Sequence, residues 1–124
     1  MTQILRSRFL LCPAIAALTL SFAFAGPADD AQKLVKDGKY DEAITLLEKA
    51  DAKDPAITKG LVQAHMAKAD YFMNNDQMPP RTRYTTALRE YRKVLVYDKS
   101  NKKAQDNIQL IEGIYKSMGR PIPQ

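Results

Sequence analysis

The stretch that most constrains this chain is Gly38 to Pro55, GKYDEAITLLEKADAKDP. Gly38 and Lys39 break a helical pattern and Asp54-Pro55 stops one, while Ala43, Leu46, Leu47 and Ala50 supply small or apolar residues between them. Ala43, Leu47 and Ala50 are separated by four and three residues, so they share one side of a helix that turns about every 3.6 residues. That side has to be covered. The segment in front supplies the cover, because Ala28, Ala31, Leu34 and Val35 of ADDAQKLVK lie on one helical face. Two short amphipathic helices joined through Gly38 then form an antiparallel hairpin.

This hairpin resembles the tetratricopeptide repeat, a helix-turn-helix unit of about 34 residues. Counted from Ala43 as the small residue early in the second helix, Leu47, Ala50 and Pro55 fall at the bulky, small and proline positions of that pattern. Twelve residues earlier, Ala31 falls on the small residue of the first helix, with Leu34 three further on. Close packing accounts for the pattern: Ala31 and Ala43 let two backbones approach, and Pro55 ends the second helix because proline cannot continue one. The resemblance implies an all-α fold and a protein that binds other macromolecules.

Residues 1–25 read differently. Arg6 and Arg8 give a basic start, Phe9 to Phe24 carries no charge, and Ala23-Phe24-Ala25 is a small-x-small cleavage site, the pattern of a secretory signal peptide. The alternative is an uncleaved membrane anchor, but the apolar run of 16 residues contains Pro13 and falls short of the roughly 20 a spanning helix needs. Lipidation at Cys12 is disfavoured by the bulky Leu11 before it and by its closeness to the N-terminus. Cleavage after Ala25 leaves residues 26–124 without cysteine, so packing and a partner, not disulfides, must hold the domain together. The expected location is the periplasm of a Gram-negative bacterium, with no stable membrane span after cleavage.

Charge is uneven along this mature chain. Residues 26–76 carry 7 Lys and Arg against 10 Asp and Glu, whereas residues 77–124 carry 10 against 4. A basic second half suits an acidic protein, an anionic lipid surface or nucleic acid, but Glu90, Asp98, Asp106 and Glu112 interrupt it, which reads as solvated helix faces. Export also argues against nucleic acid as the partner.

After Pro55, Leu61, Ala64, His65, Lys68, Ala69 and Phe72 recur at helical spacing within Ile57 to Met73, which predicts the first helix of a second repeat capped by Thr58. Asn74 to Arg83 then has the Asn, Asp and Pro of a loop. From Tyr84 the period resumes through Ala87, Leu88, Tyr91, Val94 and Leu95, with Lys99 where the pattern would place proline. Ala43 and Ala87 are 44 positions apart, about ten more than one repeat, and the surplus is expected in the 74–83 loop. Ala104, Ile108, Ile111 and Tyr115 predict a closing helix, capped by Ser100 or Asn101 and stopped by Gly119. The expected architecture is therefore a short tetratricopeptide-like solenoid of about five helices. Repeat one spans 26–57, repeat two with its inserted loop 58–101, the closing helix 102–118 and the tail 119–124.

Tetratricopeptide arrays expose a concave face lined by the first helix of each hairpin. Carried onto this chain, the resemblance implies a groove formed by Gln32, Val35 and Lys36, then Val62, Met66, Ala69 and Asp70, with Lys103, Asp106, Leu110 and Ile114 from the closing helix. Such a mixture of apolar and charged groups suits an extended or helical peptide. The competing reading is that Val62, Met66, Leu110 and Ile114 pack in the core or at a subunit contact. In the 74–83 loop, Met78, Pro79, Pro80 and Arg81 are a second candidate surface, weighed against a plain connector. The Lys, Asn and Arg cluster by which one subtype of the family grips peptide C-termini is missing.

Catalysis would need a nucleophile with its base, paired carboxylates in a pocket, or a metal cluster. His65 is the one histidine and reads as a packed or half-exposed helix residue, and Asp29-Asp30 and Asp41-Glu42 stand at helix starts, where the dipole favours carboxylates. No catalytic residue, metal site or cofactor is expected. The sequence thus points to a non-catalytic adaptor of the cell envelope that binds a protein or peptide. The alternative is a structural subunit that stabilises a larger envelope complex or a homo-oligomer.

Overall fold

The computed structural model describes residues 25–124, so the expected leader lies outside the described residues except for Ala25. Among those residues the regular structure is helical throughout: α1 Pro27–Lys36, α2 Tyr40–Glu48, α3 Pro55–Asn74, α4 Pro80–Tyr97 and α5 Lys102–Ser117. No strand occurs among them.

Each boundary has a local cause. Helix α1 starts with Pro27 in its first turn, where the missing N–H is no loss, and Asp29 and Asp30 sit at the positive end of the dipole. Its end is a left-handed turn: Gly38 has φ 75°, and the Gly38 and Lys39 amides donate to the carbonyls of Val35 at 3.1 Å and Leu34 at 2.8 Å. A side chain at Gly38 would strain that conformation, which is why glycine stands at the hinge of the first hairpin.

Three expectations need correction here. Pro55 does not terminate α2, which ends at Glu48; it opens α3. Asp54, not Thr58, caps that helix, its carboxylate accepting from the Ala56 N–H at 2.9 Å. The expected boundary between repeats at 57/58 therefore falls inside the first turn of α3. The surplus residues near 74–83 are mostly helix as well: the connector shrinks to Asn75–Pro79, Pro80 is the first residue of α4, and Arg81 follows it in the first turn. What the extra residues do is lengthen two helices, to 20 residues in α3 and 18 in α4, against 10 and 9 in α1 and α2. Prolines at both helix starts misled the reading, because the residue that breaks a helix interior also suits its first position.

Neighbouring helices run antiparallel. Along α2 and α3, Tyr40 meets Tyr71, Asp41 meets Lys68 and Leu47 meets Gly60. Along α3 and α4, His65 stacks on Tyr97 while Asp70 bonds Tyr91, and along α4 and α5, Thr85 bonds Tyr115 while Arg92 pairs with Glu112. Helix α1 packs on both α2 and α3.

Two apolar cores result. The first joins Ala31, Ala43, Ile44 and Leu47 to Ile57, Leu61 and Ala64 of the amino-terminal half of α3. The second joins Ala69 of its other half to Ala87, Leu88, Tyr91 and Val94 of α4 and Ala104, Ile111 and Tyr115 of α5. Ala31, Ala43 and Ala87 are all buried, at 2, 0 and 0% exposure, as close backbone packing requires. Helix α3 is thus the shared member, one half in each core.

The tightest approach lies between α2 and α3. A Cβ added at Gly60 would stand 3.0 and 3.2 Å from the two δ-methyls of Leu47, itself 1% exposed and confined by the first core. Overpacking should outweigh any gain in helix propensity. Gly60→Val is expected to lower unfolding free energy by about 1–3 kcal/mol in urea melts. That cost should shrink in a Leu47→Ala background, where the opposing methyls are gone; equal costs in both backgrounds would place the strain elsewhere.

Candidate functional site

Between the two cores lies a charged seam. The carboxylate of Glu90, on α4, is 4% exposed and faces three cations or donors at once. His65 Nδ1 is 2.8 Å from its Oε2, Lys68 Nζ is 3.2 Å from its Oε1, and Arg89 approaches Oε1 from the surface at 3.3 Å. Lys68 then continues to Asp41 on α2 at 2.6 Å. One network therefore ties α2, α3 and α4.

The sequence places these groups by helical spacing. His65 and Lys68 are three apart on α3, and Glu90 lies three after Ala87 and four before Val94, on the same stripe as the core. Burial by itself would raise the Glu90 carboxyl, but the His65 hydrogen bond and the Lys68 charge prevail and hold it down at about 2. Burial works against the Lys68 ammonium too, yet its bond to Asp41 and the Glu90 charge raise it above the ordinary lysine range. With Glu90 ionised, the 2.8 Å contact requires the proton on Nδ1 of His65, which leaves Nε2 buried and without a partner among the described residues.

A histidine oriented by a carboxylate is half of many catalytic arrangements. Here neither His65, Lys68 nor Glu90 lines any of the principal surface depressions. Among the described residues no group of three or more His, Cys, Asp and Glu side chains lies close enough to hold a metal ion. The seam's evident work is to join helices.

The openings lie elsewhere. Gln32, Val35 and Lys36 of the expected groove share one depression with Ala28, Gly60 and Gln63. A wider one of about 700 Å³ continues from Gln63 to Val62, Lys59, Lys53 and Tyr97. These two hollows meet at Gln63 and follow the first half of α3. Val62 is half-buried over the second core and still reaches the hollow, whereas Met66, also half-buried on that core, lines none of the principal depressions.

The remaining expected groove residues separate. Ala69 is 0% exposed in the second core, so it presents nothing to a groove; it lies seven residues after Val62 on the same stripe of α3, but in the half that the second core covers. Asp70 accepts from the Tyr91 hydroxyl at 2.7 Å and from Lys103 of α5. Burial and that carboxylate push the Tyr91 hydroxyl well above its ordinary range. Asp106 is occupied by Lys102, Leu110 is 54% exposed, and Ile114 is half-buried. At the second candidate surface, Met78 and Pro79 belong to the connector, but Pro80 and Arg81 belong to α4.

Sequence reasoning missed Glu90, which it placed on a solvated face, and Gln63 and Tyr97, whose positions depend on the crossing of α3 and α4. For Glu90 the signal was present, since its place on the Ala87–Val94 stripe argues for burial. No such signal exists for Tyr97. Comparison of the chain with models of known families, with curated proteins and with solved structures finds no match.

Glu90 makes stability depend on pH with a definite sign. Its native-state value of about 2 lies below the 4.5 of an unperturbed carboxyl, so its contribution is complete above pH 4.5 and is lost as pH falls through about 2. Urea melts should show wild type losing on the order of 2–3 kcal/mol relative to Glu90→Gln across that window. A difference between the two proteins that stays constant with pH would remove Glu90 from the network.

Proposed function

We propose that this chain is an exported, tetratricopeptide-like adaptor without catalytic chemistry of its own, which captures a peptide or protein segment along the face carrying Gln32, Val35, Gln63 and Val62. The observation that supports this most is the pair of hollows meeting at Gln63. Together they lie along one face from α1 across α3 to Tyr97 at the end of α4, with Gln63 bordering both. Its lining includes the apolar Ala28, Val35, Val62 and Tyr97, and its charged members are Lys36, Lys53 and Lys59 with Asp98. Apolar anchors give affinity and rim charges give orientation, which is how extended segments are held. Helix pairs nested through Ala31, Ala43 and Ala87 fit the same reading, because stacked hairpins present their first helices side by side.

A second reading is favoured by one feature. Leu110 of the last helix and Met118 just after it are exposed, which suits a structural subunit covered by a neighbour or by a second copy. Light scattering across a concentration series separates the two, since only the subunit reading expects a stable assembly of the purified chain.

A photoreactive residue at Gln63 or Gln32 should crosslink one common partner in envelope extract, while the same residue at Thr45, exposed on α2, should not. Leu110→Glu, at an exposed site on α5 outside both hollows, should leave helix content and crosslinking yield at Gln63 unchanged, whereas the subunit reading expects it to weaken assembly. Labelling of equal strength at Thr45 and Gln63 would end the proposal of a defined groove.

A further inference from the structure

The tail after α5 is fastened at three points. Gly119 adopts φ 64°, which lets the Arg120 amide donate to the Tyr115 carbonyl at 3.0 Å and turns the chain back over the helix end. Ile122 then packs against the second core, and the Pro123 carbonyl accepts from Arg92 Nη1 at 2.7 Å. These anchors make residues 120–123 one wall of a half-open cavity of about 360 Å³, bordered also by Arg81 and Thr85 of α4 and Tyr115 of α5.

The lining of that cavity has one sign of charge. Arg81 and Arg120 both face it, no acidic side chain does, and among the described residues neither guanidinium has an ion-pair or hydrogen-bond partner. Other arginines nearby are committed: Arg83 to Tyr84, Arg89 to Glu90, and Arg92 to Glu112 and Pro123. Glu112, one turn before Tyr115, is thereby engaged and cannot neutralise the pair.

The cavity also holds hydroxyls. Thr85 Oγ1 and Tyr115 Oη lie 3.1 Å apart, so one donates to the other and the acceptor keeps its own hydrogen for a further partner. Two guanidiniums and one spare hydroxyl hydrogen favour an anion. Pro121, Ile122 and the Tyr115 ring add an apolar wall.

From this juxtaposition we infer that the cavity between α4, α5 and the tail binds a phosphate monoester carrying a small apolar or ring substituent. Two positive charges match a phosphate dianion better than a singly charged carboxylate, and guanidinium forks suit its oxygens. The site is separate from the face proposed for peptide capture, since the two have no lining residue in common.

Phenyl phosphate, inorganic phosphate and benzoate, each titrated into the full chain by calorimetry and by NMR, test the assignment. Phenyl phosphate should bind saturably, shifting the resonances of Thr85, Tyr115 and Ile122, with benzoate and inorganic phosphate each weaker. Arg81→Gln and Arg120→Gln should each weaken it about tenfold, while Lys116→Gln on the exposed side of α5 should not. Because Arg81 and Arg120 are exposed, both variants should melt as wild type does. Equal binding of benzoate, unchanged binding in either arginine variant, or an equal loss in Lys116→Gln would overturn it.

Discussion

The structure hangs on a carboxylate that has been taken out of water. Glu90 lies where the first core ends at Ala64 and the second begins at Ala69, and its partners His65 and Lys68 occupy the one turn of α3 between them. Apolar burial stabilises each core, yet burial has no direction and leaves the angle between two small cores loosely defined. A buried charge is different, since it tolerates only those arrangements in which its partners stay in place. The seam therefore favours one register of α4 on α3, and Lys68 also reaches Asp41 at the exposed edge of α2. The hollows along α3 take their shape from that crossing, because Tyr97 closes one of them and its ring also stacks on His65.

How much of this could be read beforehand follows from which forces are local. The hairpin of α1 and α2 was legible residue by residue: apolar spacing, Gly38 at the turn, and Ala31 and Ala43 at the contact. Helix α5 was equally plain, with Asn101 accepting from the Ala104 N–H at 3.1 Å and Gly119 in the left-handed conformation. The prolines were ambiguous in principle. Pro55 and Pro80 stand at first helical positions, and nothing local says whether a proline closes the helix behind it or opens the one ahead. Asp54 is the residue that decides the first case, because a capping carboxylate points forward.

The candidate site was legible only where one helix supplies it. Gln32, Val35 and Lys36 lie within two turns of α1 and do share a hollow, since spacing along one helix fixes their face. On α3, Ala69 was placed in a groove with Val62, seven residues before it on the same stripe, and Gln63 was left out, because spacing along one helix does not say which part of a stripe its neighbours cover. A helix packed on both sides makes that error easy: α3 touches α1, α2 and α4, its apolar residues cover most of its circumference, and periodicity then no longer singles out the open stripe. Glu90 shows the opposite failing. Composition classed it with solvated charges, while its position among Ala87, Tyr91 and Val94 already placed it inside.

The uneven charge along the chain acquires a structural meaning once the helices are assembled. Some of the asymmetry cancels across contacts between the halves: Asp70 from the acidic half takes Lys103 from the basic one, and Lys68 from the acidic half takes Glu90. Arg89 and Arg92 are likewise drawn to Glu90 and Glu112. The more exposed of these pairs, such as Lys103 with Asp70, contribute little to stability, unlike the buried Lys68–Glu90 pair, and together they decide where positive potential is left over. It remains along the α3 hollows, on Lys36, Lys53 and Lys59 with Asp98 as the one acidic neighbour in their lining, and under the tail, on Arg81 and Arg120. A basic excess spread over helix faces would attract anions everywhere and select none. Here it is gathered instead at two places, one lined partly by apolar side chains and one by the Thr85 and Tyr115 hydroxyls and the tail.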